Sequence, residues 1–282
     1  MSWGGTASHQ APLDELRLQQ PGAIVGEIAR ARSRASLRFR LIFALTWFVF
    51  VGGLAVAILS TGRVHPDFIG EWGPFILAAI PITIFVSITS IALATVFALI
   101  GALGRLSTAA PIFALATLYV SLVRGTPLIV QIIFIYLALP QFGIVLDPLQ
   151  GGIIALGFNY GAYMTEIFRA GIQAIPRGQV EAAQSLGMQD SLIMRRIVLP
   201  QAVRIVIPAI GNEFIAMIKD SALVSYVGIQ EVFWRASNIG SRFFKTFETL
   251  MIAAVIYWVM TIGFSFVQER LEQRMARSDR RI

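Results

Sequence analysis

Six long apolar runs constrain this chain more than any other feature of its sequence. They occupy residues 41–60, 74–102, 109–139, 150–172, 201–227 and 247–268. Each run approaches or exceeds the roughly 20 residues that a helix needs to cross the hydrocarbon core of a bilayer. The runs are continuous and do not alternate with a period of two, so a spanning β-barrel is not expected. The sequence therefore predicts an all-α polytopic membrane protein with about six transmembrane helices.

The overall composition supports the same fold class. Hydrophobic residues make up 56% of the 282 positions and charged residues 14%, whereas soluble domains carry about 25% charged residues. So few charged side chains cannot cover the surface of a water-soluble globule. The chain has no cysteine, which excludes disulfide bonds and thiol chemistry.

The net charge of +7 is distributed as membrane topology requires. If both termini and every second loop face the cytoplasm, 17 of the 23 lysines and arginines are cytoplasmic and four lie in outer loops. This asymmetry follows the positive-inside rule and predicts that both termini are cytoplasmic. We therefore expect no nucleic-acid partner. The tail before the first apolar run holds Arg17, Arg30, Arg32, Arg34, Arg38 and Arg40.

These features divide the chain into four segments. Residues 1–40 are predicted to form a polar, basic cytoplasmic tail, and residues 41–73 the first transmembrane helix with an outer loop. The main transmembrane domain spans 74–268, and a basic cytoplasmic tail follows at 269–282. The Ala-Val-Ala sequence at 55–57 could instead mark a signal-peptide cleavage site. A polar tail with acidic side chains before the apolar run favours a retained helix.

The longest cytoplasmic loop, 173–200, contains a spaced motif. Its pattern is E-A-A, three residues, G, nine residues, then I-x-L-P. The fixed positions are Glu181, Ala182, Ala183, Gly187, Ile197, Leu199 and Pro200.

The local signals in this loop predict a helix–turn–helix. Pro176 suits the first position of a short helix, and Gly187 suits the positive φ that follows its end. Asp190 or Ser191 could cap a second short helix, which Leu199 and Pro200 would end.

The same loop is a candidate docking surface for a separate protein. Ala182 and Ala183 are small enough to permit a close backbone approach, and Glu181 near a helix N-terminus could accept an ion pair. The alternative is an amphipathic hairpin that lies on the lipid surface, a role that Arg195 and Arg196 would suit.

A second group of candidates consists of ionisable side chains inside the apolar runs. Such groups are costly in a bilayer and mark either a transport pathway or a buried pair. They are Arg124, Glu166, Glu213, Lys219 and Asp220. Arg124, beside a Gly-Thr-Pro helix break, could donate two hydrogen bonds to a carboxylate, and the acidic residues could receive an ammonium group.

Three uncharged polar residues are further candidates, and several candidates have a purely structural alternative role. Thr126, Asn159 and Tyr163 could line the same cavity, although such residues also serve helix packing. Glu166 could simply pair with Arg169 on one helix face. Lys219 could instead extend to the outer surface, with Asp220 ending the helix.

Four segments of the sequence resemble permease subunits of bacterial ABC importers. Besides the motif loop, Val123–Gln131 is similar to an R-G-T-P-L-x-V-Q segment of polar amino acid permeases. Gly161–Ile172 resembles their G-A-Y-x-x-E-I-x-R-x-G-I run, and Ile218–Leu223 their I-K-D-[ST]-x-L. The resemblance covers 74–268 and points to the histidine/glutamine/arginine-type branch. It implies a five-helix core, to which this chain adds one N-terminal helix.

The resemblance also implies partners and a location. An importer of this type has two ATPase subunits docked on the EAA loop 173–200, a second permease chain that is a copy or a paralogue, and a periplasmic or lipid-anchored solute-binding protein. It carries a polar amino acid across the bacterial cytoplasmic (inner) membrane. ATP and Mg²⁺ would be held by the ATPase, because this chain lacks a G-x-x-x-x-G-K-[ST] phosphate loop.

Other functions remain as alternatives. The substrate could be a related amino-acid-like solute such as an opine or ectoine, or the chain could be a stand-alone secondary transporter. An enzyme is not expected, because the sequence contains no H-E-x-x-H motif and its two histidines lie in the tail and an outer loop.

Overall fold

A computed structural model describes the backbone of residues 21–60, 62 and 64–279, and the side chains of 37–60, 62 and 64–275. Across these described residues the regular structure is helical and no strand occurs, which confirms the all-α class. The helices are α1 Pro21–Ser60, α2 Pro66–Leu77, α3 Ile80–Arg105, α4 Ala110–Arg124, α5 Leu128–Ala138, α6 Pro148–Gln173, α7 Arg177–Ser185, α8 Asp190–Ile193, α9 Leu199–Asp220, α10 Val232–Phe243 and α11 Thr246–Asp279.

The described residues fall into two compact units, one that ends at His65 and one that begins at Pro66. The described part of the first unit is essentially α1, a single helix of 40 residues. This helix continues through position 40, so the predicted boundary between a polar tail and the first transmembrane helix is not a helix end. The rest of that predicted tail, 1–20, lies outside the described residues, as do 280–282 of the C-terminal tail.

Three described helical segments are long and apolar enough to cross a bilayer: Leu37–Ser60, Pro66–Arg105 and Thr246–Met275. A fourth span exists if Ala110–Arg124 and Leu128–Phe142, which meet at a bend of 106°, count as one broken helix. Helices α6 and α9 have 26 and 22 residues and are not among these apolar segments. The count of six therefore stays a prediction.

Small residues allow α3 and α6 to form the most extensive helix contact in the second unit. Ala94 and Ala98 of α3 are fully buried there. A Cβ atom added to Gly161 of α6 would lie 2.5 Å from Phe97 Cβ and 2.7 Å from the Tyr119 hydroxyl. Helices surrounded by lipid gain little from hydrophobic burial, so close packing of small residues must hold them together.

Two further clusters attach the remaining helices to this pair. Val86, Ile132, Leu156 and Val224 join α3, α5 and α6 to a 3₁₀ turn, Ser221–Val227. Ile76, Ile218, Val232 and Ile256 join α2, α9, α10 and α11. The loop between α6 and α9 is thus carried on helices that are packed along most of their length.

Candidate functional site

The first half of the motif loop folds nearly as its sequence predicts. Helix α7 begins at Arg177, so Pro176 occupies the N-cap and not the first helical position, a shift of one residue. Gly187 has φ +75°, the left-handed conformation that glycine adopts without a steric penalty. The N–H of Met188 donates to the carbonyl of Ala183 at 3.1 Å and closes the turn.

The second half of the loop differs from the prediction. Gln189 is the N-cap of α8, and no side chain caps this helix, so Asp190 and Ser191 are its first helical residues. Leu199 and Pro200 do not end the helix either. Instead α8 continues into α9 through a π-helical turn, Met194–Val198, in which the Leu199 N–H donates to the Met194 carbonyl. Pro200 has no N–H to give, so a regular ladder is already interrupted at this point.

The loop has a small hydrophobic core of its own, formed by Ile175, Ala183, Ile193 and Val198, with Ile197 packed against it. Ala183 is only 3% exposed. Its small side chain therefore serves packing inside the loop and is not available to a partner, contrary to the prediction. Ala182 is exposed, as are Leu199 and Pro200.

Glu181 lies on the outer face of α7 and is exposed. It is beyond the first turn of the helix, where the favourable effect of a helix N-terminus on a carboxylate has faded. The carboxylate is accessible to a cationic partner, and the ion pair with such a partner stays a prediction. Glu181 and Asp190 both line a groove of about 770 Å³ between the two halves of the loop.

Two of the predicted pathway residues take part in a polar network that repairs the helix break at 125–127. The amide of Gln131 donates to the carbonyls of Val123 and Thr126 at 2.7 and 3.1 Å, and to the Thr126 hydroxyl at 2.8 Å. Asn159 in turn donates to the Gln131 side-chain oxygen at 3.0 Å. Gln131 was missed as a candidate, although it closes the R-G-T-P-L-x-V-Q segment.

Glu166 is held by two arginines. Its carboxylate lies 2.6 Å from Arg169 Nη2 on the same helix and 3.3 Å from Arg105 Nε at the end of α3. Arg105 also donates to the Thr117 hydroxyl of α4 at 2.6 Å. The alternative in which Glu166 pairs with Arg169 is confirmed, and Arg105 joins three helices at this point.

The other candidates form two separate pairs. The Arg124 guanidinium lies 5.2 Å from the centre of the Tyr163 ring, a cation–π distance, and both side chains are exposed. The Tyr160 hydroxyl donates to Asp220 at 2.7 Å. Glu213 is half-buried on the same helix as Asp220, while Lys219 is exposed. The structure therefore does not gather all eight predicted residues into one site.

One buried acidic residue, Glu231, was not predicted from the sequence. Glu231 is fully buried at the N-cap of α10, where it accepts hydrogen bonds from the N–H of Trp234 at 2.8 Å and from the Tyr257 hydroxyl. Burial raises the pKa of the Glu231 carboxyl above its usual range, against the opposing effect of these hydrogen bonds. Its position in a short outer connection, away from any apolar run, gave no signal.

The architecture is that of a membrane-embedded transporter subunit. It superimposes on a chain from the "Crystal structure of an amino acid ABC transporter with histidines" with a TM-score of 0.71 and 39% identity, over 75% of this chain and 99% of the other. A chain of the MetNI methionine ABC transporter, in an inward-facing conformation, matches at 17% identity and a TM-score of 0.61, which shows the fold alone.

Residues 95–277 match the model of the binding-protein-dependent transport system inner membrane components, and the chain belongs to this family. Two proteins of Bacillus subtilis (strain 168) are similar to this chain over most of its length. The L-cystine transport system permease protein TcyB is 40% identical over 81% of this chain and 98% of its own length. The arginine transport system permease protein ArtQ is 37% identical over 73% of this chain and 94% of its own length. The resemblance to amino acid ABC permeases is thereby confirmed.

Proposed function

We propose that this chain is the permease subunit of an ATP-binding cassette importer that carries polar amino acids across the bacterial cytoplasmic membrane. The observation that carries the proposal is the self-contained helix–turn–helix between α6 and α9, which exposes Glu181 and Ala182 of the EAA motif on a membrane domain of this family. The relatives named for L-cystine and arginine support an amino acid as the substrate.

The loop is suited to transmit a push from an ATPase subunit. Its core fixes α7 against α8, and α8 runs through the π turn into α9 without a flexible linker. A force applied to Glu181 and Ala182 on the exposed face of α7 therefore reaches α9 as a movement of packed helices. ATP and Mg²⁺ stay on the two ATPase subunits, whose binding and hydrolysis of ATP drive that movement.

The substrate path is proposed to use the pairs that α6 forms with its neighbours. Arg124, supported by the Tyr163 ring, offers a donor to the substrate carboxylate, and Asp220 with Glu213 offers negative charge to the ammonium group. Thr126 and Asn159 act through Gln131 by holding the helix break in place. Glu166 forms ion pairs with two arginines and is assigned a positioning role.

The complete importer would contain a second permease, a copy or a paralogue, and a solute-binding protein outside the membrane. Both termini are proposed to be cytoplasmic, since that orientation places the EAA loop on the side where ATP is available and satisfies the positive-inside rule.

Co-purification tests the docking role of the loop. The native chain is expressed with the ATPase encoded beside it and compared with Glu181→Arg plus Gly187→Pro, which reverses the exposed charge and blocks the turn. Asp67→Arg, a charge reversal at the start of α2, serves as the matched control. We expect the native chain and the control to retain the ATPase, and the loop variant to lose it.

Equal retention by the native chain and the loop variant would show that the loop is not the docking element. Uptake in cells then decides between energy sources: ATP depletion should abolish it, whereas sensitivity to an uncoupler alone would favour the stand-alone secondary transporter. Competition with L-cystine, arginine, glutamine, an opine and ectoine identifies the substrate class, and exclusive competition by the last two would correct the proposed one.

A further inference from the structure

The N-terminal helix carries a basic segment that the transport function does not explain. The family match begins at residue 95, and the TcyB relative is covered to 98% of its length by 81% of this chain. Helix α1 precedes the family domain, and nothing in the proposed import mechanism uses its charges.

The charges are concentrated and uniform in sign. Five arginines occur within eleven positions, and no acidic residue occurs between Glu27 and Asp67. The arginines are Arg30, Arg32, Arg34, Arg38 and Arg40. The same arginines contribute to the positive-inside bias that orients the chain.

The helical register places most of these positions on one side. Successive residues of an α-helix are about 100° apart, so positions 30, 34 and 38 follow one another along one face, and position 40 lies about 80° to one side of position 30. Only position 32 falls on the opposite face. An arc of cationic positions along a helix suits several separate anions better than a single compact anion.

The length of α1 determines where these arginine positions lie relative to the bilayer. A 40-residue helix is about 60 Å long, and the hydrocarbon core is about 30 Å thick. The apolar stretch ends at Ser60. Counting back from there, the part of the helix that crosses the hydrocarbon core begins at about residue 41. Positions 38 and 40 then lie at the level of the inner headgroups. Positions 30–34 lie about 10–15 Å beyond, where the surface potential persists at low salt and is screened at physiological salt.

We propose that the segment 30–40 of α1 is a binding site for anionic phospholipid headgroups of the inner leaflet. Clusters of four to eight basic residues directly cytoplasmic of a transmembrane helix bind such lipids, each residue contributing about fivefold in affinity. Arginine adds the ability to bind phosphate oxygens in pairs. The site is independent of the substrate path and of the EAA loop.

Lipid retention by the full-length protein in detergent tests the proposal, because orientation in a membrane does not affect this measurement. The native chain is compared with Arg30→Gln/Arg34→Gln/Arg38→Gln, and with the same three positions changed to Lys. A control, Arg274→Gln/Arg277→Gln/Arg280→Gln, removes equal charge from the other cytoplasmic end. Binding of dioleoylphosphatidylglycerol and dioleoylphosphatidylcholine is titrated at low and high salt.

The native chain should prefer phosphatidylglycerol and lose that preference at high salt. The Gln triple should bind it at least tenfold more weakly, the Lys triple within about threefold of native, and the C-terminal control as the native chain does. The proposal fails if the Gln triple binds like the native chain, if the control weakens equally, or if phosphatidylcholine binds as well. It also fails if inorganic phosphate displaces the lipid or if the segment retains RNA in preference to lipid.

Discussion

The motif loop and the charged groups of α6 are both polar regions in an apolar protein, yet they are built differently. The loop is closed within 28 consecutive positions, 173–200, and its own core holds it together. The α6 groups depend on partners that are distant in sequence: Glu166 on Arg105, Asn159 on Gln131, and Tyr160 on Asp220. The structure of a local segment can be predicted from the spacing of its residues in the sequence. Pairs of residues that are distant in sequence can be identified only once the fold is known.

The comparison has a functional side as well. The loop is exposed and lies outside the apolar runs, so changes there should affect docking without affecting the stability of the membrane helices. The α6 pairs satisfy polar groups where water is scarce, so changes there should affect stability first. Four predictions test this contrast.

The largest effect is expected for Gln131→Leu. The substitution leaves the carbonyls of Val123 and Thr126, and the Asn159 amide, without their partner in the transmembrane region. We expect a loss of about 2–3 kcal/mol of stability, measured by thermal unfolding in detergent. Gln189→Ala, at an exposed position, is the control and should change stability by less than about 0.5 kcal/mol. A native-like midpoint for Gln131→Leu would mean that the break at 125–127 needs no repair.

The variants Ala183→Leu and Ala182→Leu distinguish the effect of a change on the buried side of α7 from that of a change on its exposed side. Leucine at buried position 183 overpacks the loop core by about 1–3 kcal/mol and should expose the loop to limited proteolysis. Leucine at exposed position 182 should leave the loop resistant to protease while it obstructs the partner. Both variants should lose ATPase binding, and the unfolding midpoint of the membrane helices should not move. Equal protease sensitivity of the two variants would contradict the assigned faces.

A double-mutant cycle on Glu166→Gln and Arg105→Met measures the pair that joins α6 to α3. Both side chains are about one-fifth exposed, so solvent screens part of their attraction, and we expect a coupling energy of about 1 kcal/mol. The same cycle between Glu181→Gln and Arg105→Met should give none. Coupling in the second cycle would show that the loop and the charged pairs are not independent.

The smallest effect on global stability is expected for Gly187→Ala. A Cβ atom at this position meets no atom within 4 Å, so the cost arises from the positive φ alone, about 1–2 kcal/mol within the loop. Hydrogen exchange should be faster in α7 and α8 and unchanged in α3 and α6. Gly178→Ala, which also meets no neighbour and has an ordinary φ, should leave exchange in the loop no faster than in the native chain.

The sequence allowed the fold class, the loop and its positive-φ glycine to be predicted, because apolar run length, composition and turn chemistry are local properties. It did not reveal that Ala183 points inward, since small size suits both a docking face and a tight core. It also missed Arg105 and Gln131 as partners, because their roles depend on residues 61 and 28 positions away. The break between α4 and α5 was predicted from Gly125 and Pro127, whereas the π turn continues the helix where Leu199 and Pro200 were expected to end it.

The π turn between α8 and α9 has a consequence for how α8 is phased relative to α9. In a regular α-helix the Pro200 ring would meet the carbonyl of Arg196, four residues earlier. The five-residue turn, Met194–Val198, absorbs one extra residue just before this proline. Counting faces from α9 back into α8 with an α-helical period is therefore wrong by one residue, or about 100°. A proline and a widened turn together set the angle of α8 relative to α9. Because α7 packs on α8 through the loop core, the same angle sets the direction in which Glu181 and Ala182 are presented.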